Sequence, residues 1–292
     1  MAEGNLIELI KVLRDRTGAG LMDCKGALLA CDCDLDRATD WLREKGLAKA
    51  AKKASRIAAE GLSHVKVCEK CGKTVVVEVN CETDFVAKGD AFRELVDNVA
   101  GLLLKNEPKT LEEAKALCES LFADATVKMG EKLDLRRFVI LQKEEGQTIG
   151  SYIHMGGKIA VAVVLEKEDA ELAKQLAMHI AANNPTYVNE SDVPAEEIAH
   201  EKAVQLEAAK NDEKLKNKPA DVLDKILDGK VKKTFAEVIL AAQSFLMDDS
   251  KTVGQVLKEK GNNVLRFVRY QVGEGIEKRQ DDFASEVMSQ VK

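Results

Sequence analysis

The residues with the types and spacing for chemistry fall into a few small groups. Cys68-Glu69-Lys70-Cys71-Gly72 has the two-residue gap that lets two thiolates reach one zinc ion from a tight turn. A zinc site needs more ligands, and the neighbours do not supply them. At roughly 3.3 Å per strand residue, Cys81 stands about 30 Å away along the following strand and His64 about 13 Å back along the preceding one. The turn therefore reads as a hairpin turn whose thiols are free. Gly18-Ala19-Gly20 and Gly273-Glu274-Gly275 begin like dinucleotide fingerprints, but Asp23 and Lys278 stand where the third glycine belongs. Asp84 and His154 could serve a hydrolase, yet no Ser or Cys nucleophile motif, paired carboxylates or nucleotide loop accompanies them. These patterns indicate no covalent chemistry, and neither a cofactor nor a metal of the chain's own.

A different kind of site is indicated by Cys81-Glu82-Thr83-Asp84-Phe85-Val86-Ala87-Lys88. It puts a carboxylate and a large apolar ring side by side on a loop between a strand and a helix. Thr74 to Val79 is a valine run with strand propensity, and Phe92, Leu95, Val96, Val99 and Leu103 recur at helical spacing. Phe85 falls outside both patterns, so its ring is either tucked back as a local plug or presented to a partner. An internal comparison favours the partner. Gly72-Lys73-Thr74-Val75-Val76-Val77-Glu78-Val79 is echoed by Gly157-Lys158-Ile159-Ala160-Val161-Ala162-Val163-Val164, and each run leads into an amphipathic helix, as in a degenerate duplication. The first connection is longer than the second by the length of Thr83 to Ala87. Those residues are not needed to make the turn, which leaves an external contact as their purpose.

The elements that must position this loop follow from periodicity. Residues 5 to 46 read as three short helices, with apolar stripes through Leu6, Leu9, Ile10 and Leu13, through Leu21, Cys24, Leu28 and Leu29, and through Leu35, Ala38, Trp41 and Leu42. Asp34 is placed as the third N-cap. This fragment is too small for a large core and reads as a docking module of the ubiquitin-associated type. Lys45, Lys49, Lys52, Lys53 and Arg56 follow in an alanine-rich segment that reads as a solvated linker helix rather than a phosphate-contacting one. Without interleaved aromatic residues, the linker gives no support to phosphate contact. A hairpin and the helix from Phe92 come next, then a helix over Leu111 to Met129, strands over Phe138 to Leu141, Ser151 to Met155 and Lys158 to Leu165, and a helix from Asp169 to Asn184-Pro185. On that helix His179 reads as a half-buried packing or capping residue. Pro194 to about Leu240 reads as two thin amphipathic helices broken at Lys218-Pro219 and turning back on each other. Val253 to Leu257, a strand over Val264 to Val272, and a terminal stripe of Phe283, Val287, Met288 and Val291 complete an α+β chain.

Composition sets further bounds. The chain has 292 residues, 50 acidic against 44 basic, and only 4% aromatic residues. That balance argues against a nucleic-acid binder, which needs a basic face with stacking rings, and in favour of a protein partner. Neither a leader nor a membrane-spanning run is legible, so the reading is cytosolic, with the 7 cysteines expected as reduced thiols. The organisation expected is a docking module and linker over 1–56, core subdomains over 57–143 and over 144–186 with 241–272, a helical hairpin over 187–240, and a C-terminal helical module over 273–292.

Several segments in register resemble the bacterial-type elongation factor Ts family. They are Arg14-Asp15-Arg16-Thr17-Gly18-Ala19-Gly20-Leu21-Met22-Asp23-Cys24-Lys25, Asn80 to Ala87, Gly150-Ser151-Tyr152 with His154, Lys251-Thr252-Val253-Gly254-Gln255, and Gly273 to Lys278. The Cys68 and Cys71 turn has no counterpart in that pattern. The resemblance implies a guanine nucleotide exchange factor for elongation factor Tu. It implies that Phe85 enters an apolar pocket of the GTPase domain beside the nucleotide, with Asp84 helping to displace the magnesium ion and phosphates. Thr83, Val86 and His154 are implied to contact the same region, Leu13, Leu21 and Met22 to form the docking face of the three-helix module, and the terminal helix to bind the GTPase domain. The helical hairpin is implied as a dimerisation element, and GDP and GTP as bound by the partner only.

Overall fold

A computed structural model describes residues 3–210 and 219–277. The chain divides into two compact units: residues up to 141, 155–160 and from 270 form one, and residues 142–154 with 161–269 form the other. Helices and strands alternate in blocks in both, the α+β arrangement expected.

The first unit begins with α1 (Glu3–Thr17), α2 (Leu21–Ala30) and α3 (Leu35–Lys53). Ile10, Leu13, Cys24, Leu28, Ala38 and Leu42 close a small core among them. Asp34 caps α3 as expected, its carboxylate accepting from the backbone N–H of Asp36 and Arg37 at 2.9 Å. The third helix does not stop near residue 46. It continues through the basic alanine-rich stretch because good helix formers carry it on and because Gly46 lets it lie against the helix α6 (Leu111–Met129). A Cβ at Gly46 would stand 2.7 Å from the Ala123 carbonyl oxygen. Three cations of this stretch are engaged internally: Lys45 lies 4.0 Å from the centre of the Trp41 ring, Lys49 pairs with Asp23 at 2.9 Å, and Lys53 donates to the Gly130 carbonyl.

Strands β1 (Glu60–Cys68) and β2 (Lys73–Cys81) pair antiparallel, from Glu60 opposite Cys81 to Cys68 opposite Lys73. With β3 (Asp134–Gln142) they form a sheet of order β1-β2-β3. Between β2 and α6 lie α4 (Asp84–Lys88) and α5 (Asp90–Asn106). Val75, Val77 and Val79 pack with Phe92, Leu95, Val96, Val99 and Leu103 of α5, the helical stripe expected from the sequence. The other face of β2 is also covered, and there Glu78 is fully buried. Its carboxylate accepts from Arg136 Nη1 at 2.9 Å, Arg137 Nε at 2.6 Å and the Gly273 N–H at 2.9 Å. Gly273 has a φ of 72°, and a Cβ there would stand 2.4 Å from the Ala59 carbonyl oxygen. The Gly273-Glu274-Gly275 segment thus serves as a latch on the sheet. At the far end of the β1–β2 hairpin the structure corrects one expectation: Cys68 and Cys71 are joined as a disulfide. Their spacing across the turn puts the Cα atoms 5.6 Å apart, inside the range a disulfide needs.

In the second unit β4 (Thr148–His154), β5 (Ile159–Leu165) and β8 (Val264–Gln271) form a sheet of order β4-β5-β8, and α7 (Ala170–Asn183) follows β5. Each sheet therefore holds its helix-preceding strand in the centre, as a duplication requires. α8 (Ala195–Lys210) and α9 (Ala220–Ala236) are the two thin helices, meeting through Ala209, Leu223, Ile226 and Leu227. Lys202 bridges Asp224 and Asp228 at 2.8 Å each. The short hairpin β6 (Ser244–Phe245) and β7 (Asp248–Thr252) leads into α10 (Val253–Glu259), whose capping box joins Thr252 and Gln255. The expected break at Lys218 and the terminal stripe of Phe283, Val287, Met288 and Val291 lie outside the described residues.

His179 is fully buried rather than half-buried. Its Nδ1 accepts from the Leu246 backbone N–H at 3.1 Å, so its Nε2 carries the proton toward Gln243 Oε1, 2.9 Å away. Burial holds its pKa below the ordinary histidine value. The unfolded chain then binds more protons than the folded one as pH falls below about 6.5, and stability drops with falling pH. Thermal unfolding followed from pH 7.5 to 5.5 should show a loss of up to about 1.4 kcal/mol per pH unit. His179→Gln should remove that part of the slope. An unchanged slope in a folded His179→Gln protein would show that this imidazole is not its source.

Candidate partner-binding site

The segment that the sequence marks as a loop is a helical turn. Strand β2 delivers the chain at Cys81, Thr83 caps α4, and Gly89, extended, ends α4 and stands at the N-cap of α5. The length that distinguishes the first half of the duplication from the second has become α4, which presents one side chain outward. Ala87 is buried and Val86 packs on the core beneath, while Phe85 is 84% exposed. The alternative of a local plug is excluded by that exposure.

The turn is held from behind. Glu131, just beyond α6, accepts the backbone N–H groups of Glu82 and Thr83 at 3.0 Å and the Thr83 hydroxyl at 2.5 Å. Thr83 Oγ1 in turn accepts from the Val86 N–H at 3.4 Å. Glu82 accepts from the Lys132 N–H at 2.6 Å and pairs with Arg56 at 3.2 Å. The Cys81 thiol donates to the Thr83 carbonyl at 3.2 Å, and burial pushes its pKa up to about 12. Of the four adjacent residues expected to meet a partner, Thr83 and Val86 are supports and Asp84 and Phe85 are presented. Asp84 pairs with Lys88 at 2.6 Å. That hydrogen bond holds its carboxyl below the ordinary range, so Asp84 is a fixed negative charge beside the exposed ring. Glu131 escapes sequence reading, because an isolated acid after a helix carries no signal that it folds back on a loop some fifty residues earlier.

The other expected contacts are placed as follows. Leu21 and Met22, in the first turn of α2, are 54% and 73% exposed. Leu13 is corrected: it is 0% exposed and belongs to the core under α2, so it supports the face that Leu21 and Met22 present. His154 ends β4 in the second unit, half-buried, with its Nδ1 3.4 Å from the Tyr152 hydroxyl. It is in a different unit from Asp84 and Phe85. The arrangement offers no nucleophile with a base. It offers an apolar ring, a fixed acid and exposed apolar side chains on a preformed scaffold, which suits contact with a protein.

The protein-family model described as Elongation factor TS matches residues 82–274, more than half of the chain. This chain belongs to the elongation factor Ts family. Elongation factor Ts is a nucleotide exchange factor for elongation factor Tu in translation elongation, rather than a catalytic enzyme. The matched region of this elongation factor Ts chain opens at Glu82, where the exposed turn begins, and closes at Glu274, where the latch segment meets Arg137. The three-helix segment lies before it. Among the described residues no helix is long and apolar enough to cross a membrane.

Proposed function

We propose that this chain acts in the cytoplasm, promoting GDP release from elongation factor Tu by setting Phe85 into an apolar pocket of the GTPase domain near the nucleotide and its magnesium ion. The observation that carries this reading is a large aromatic side chain left 84% exposed on a turn that three hydrogen bonds to Glu131 hold in place. Pre-ordering the turn means that little is lost in fixing it on contact. Asp84 stands beside the ring, where its charge acts on the magnesium ion and phosphates, and charge interactions in such sites are large. Leu21 and Met22 dock the three-helix segment on the same partner, and His154 adds a contact from the second unit. GDP and this chain favour different conformations of one GTPase, so each weakens the other's binding by the same coupling free energy. No nucleic acid, membrane, metal or cofactor of the chain's own enters the reading. Release of a fluorescent GDP from elongation factor Tu, with and without the purified chain, tests it; an unchanged release rate at saturating chain would end the proposal.

The α8–α9 hairpin belongs to self-association in this reading, since its thin apolar stripes leave Val204, Leu206 and Val222 exposed. Replacing 195–236 with a short Gly/Ser connection should lower the mass in solution and leave most exchange intact. The segment after it must stay, because Thr186 donates to the Val238 carbonyl at 2.8 Å and Leu240 to the Tyr187 carbonyl at 2.8 Å. Loss of exchange in a folded deletion would place the hairpin on the GTPase instead.

A further inference from the structure

We infer that Cys68 and Cys71 form a redox-active pair, a thiol–disulfide exchange site for a dithiol reductant, set apart from the exchange function. The pair sits at the tip of the β1–β2 hairpin, Cys71 exposed and Cys68 half-buried, and the two are joined as a disulfide. The other cysteine thiols are more shielded. Cys24, Cys31, Cys81 and Cys118 are buried and Cys33 is half-buried. Burial raises the thiol pKa of Cys24, pushes Cys118 up to about 11 and Cys81 up to about 12. Thiolate character and access decide which cysteines react, so an incoming thiol or oxidant meets the tip first. Among the described residues no group of three or more His, Cys, Asp or Glu gathers as a metal site, so no third ligand competes for the pair.

The tip is built to open without unzipping. The last ladder pair is Cys68 opposite Lys73, and Lys73 is tied to Glu107 at the end of α5. A turn hydrogen bond from the Gly72 N–H to the Glu69 carbonyl, 3.4 Å, and the left-handed φ of 65° at Gly72 shape the bend independently of the sulfur link. A thiolate of the dithiol attacks the more exposed Cys71 sulfur, breaking the S–S bond and releasing Cys68 as a thiolate that takes up a proton. The second thiolate of the reductant then attacks its own sulfur in the mixed disulfide and releases Cys71. Two electrons pass from the dithiol, which becomes a disulfide, to the pair, which ends as two thiols carrying the two protons. The tip lies at the opposite end of β2 from the Phe85 turn, on the order of 30 Å along the strand. Its redox state is therefore predicted not to alter nucleotide release.

The test uses the full chain purified without reductant. Denaturation and alkylation without reduction should label five cysteines and recover Cys68 and Cys71 in a linked peptide. Dithiothreitol added to the native chain should make these two alkylatable at least about tenfold faster than Cys24, Cys81 and Cys118. After its removal, oxidised glutathione should restore the link, and Cys71→Ser should leave Cys68 able to take glutathione as a mixed disulfide. Recovery of both cysteines as free thiols after oxidised glutathione would overturn the inference, as would stoichiometric zinc that slows their alkylation. GDP release should be the same in the oxidised and reduced chain to within about twofold, and a larger difference would overturn the separation of the two functions. Failure of the chain to act on elongation factor Tu at all would leave the alkylation result standing, so the two readings fail separately.

Discussion

Phe85→Ala should leave this protein as stable as before and strip most of its exchange activity. The ring is exposed and the turn beneath it is held by Glu131, Thr83 and the buried Ala87, none of which the substitution touches. Unfolding should therefore move by no more than a surface change, about 0.5 kcal/mol. Burial in a partner is a different matter. An aromatic anchor that fills a desolvated pocket is the sort of side chain whose truncation costs about 2 kcal/mol or more at an interface, and if the lost contact is made chiefly in the nucleotide-releasing state, exchange falls roughly thirtyfold. A buried plug would have behaved the opposite way, costing roughly 3 to 5 kcal/mol of stability and losing activity only through unfolding. Asp84→Ala is the companion variant. Its ion pair with Lys88 is exposed and contributes little to stability, so the chain should stay folded while GDP release weakens through lost charge near the magnesium ion. Melting temperature measured beside GDP release for both variants decides the matter: a stable Phe85→Ala protein with undiminished exchange removes the wedge.

Much of this site was legible in the sequence because it breaks periodicity. Strands announce themselves by valine runs and helices by apolar stripes, and Phe85, which fits neither, is left exposed. The excess length of the first connection was visible too, although not that it would coil into α4. Five residues are too few to show a helical period, and only the cap from Thr83 decides it. What stayed hidden is long-range and polar. Leu13 satisfies a helical stripe equally well as a core residue or as a docking one, and only the packing of α1 against α2 sends it inward. The alanine-rich basic stretch after Trp41 shows its helix in the sequence, but its charges conceal that Gly46 lets the helix lie against α6. An argument from compartment predicts free thiols at Cys68 and Cys71, whereas their turn brings the Cα atoms to 5.6 Å, a distance a disulfide spans.

Glu78 is the clearest case of a residue with no sequence signal and a large expected effect. It is the one acid in the valine run Thr74 to Val79, and nothing in that run says which way it faces. The structure buries it completely, because β2 is the central strand and both its faces are covered. A buried carboxylate is tolerated only when paired and hydrogen-bonded, and the chain meets that need from two directions. Arg136 and Arg137 reach it from β3, and the Gly273 N–H reaches it from the latch segment. Arg137 also pairs with Glu274 at 3.1 Å and lies 4.2 Å from the centre of the Tyr270 ring, so one carboxylate organises the attachment of residues 270–274 to the first sheet. Removing it takes an acceptor from two guanidinium groups, the Gly273 N–H and the Asn80 side-chain amide. Breaking a buried pair from one side costs about 3 to 5 kcal/mol, and because both arginines retain some access to water the lower end applies to Glu78→Ala, about 3 kcal/mol. Glu78→Gln keeps the shape and an acceptor oxygen while losing the charge, and should fall between that variant and the parent. Denaturant unfolding of the three proteins gives the order directly, and GDP release below the transition should be preserved wherever the chain is folded, the reverse of the pattern for Phe85→Ala. A Glu78→Ala protein that unfolds within about 0.5 kcal/mol of the parent, the range of an ordinary surface change, would show that the latch holds without its carboxylate.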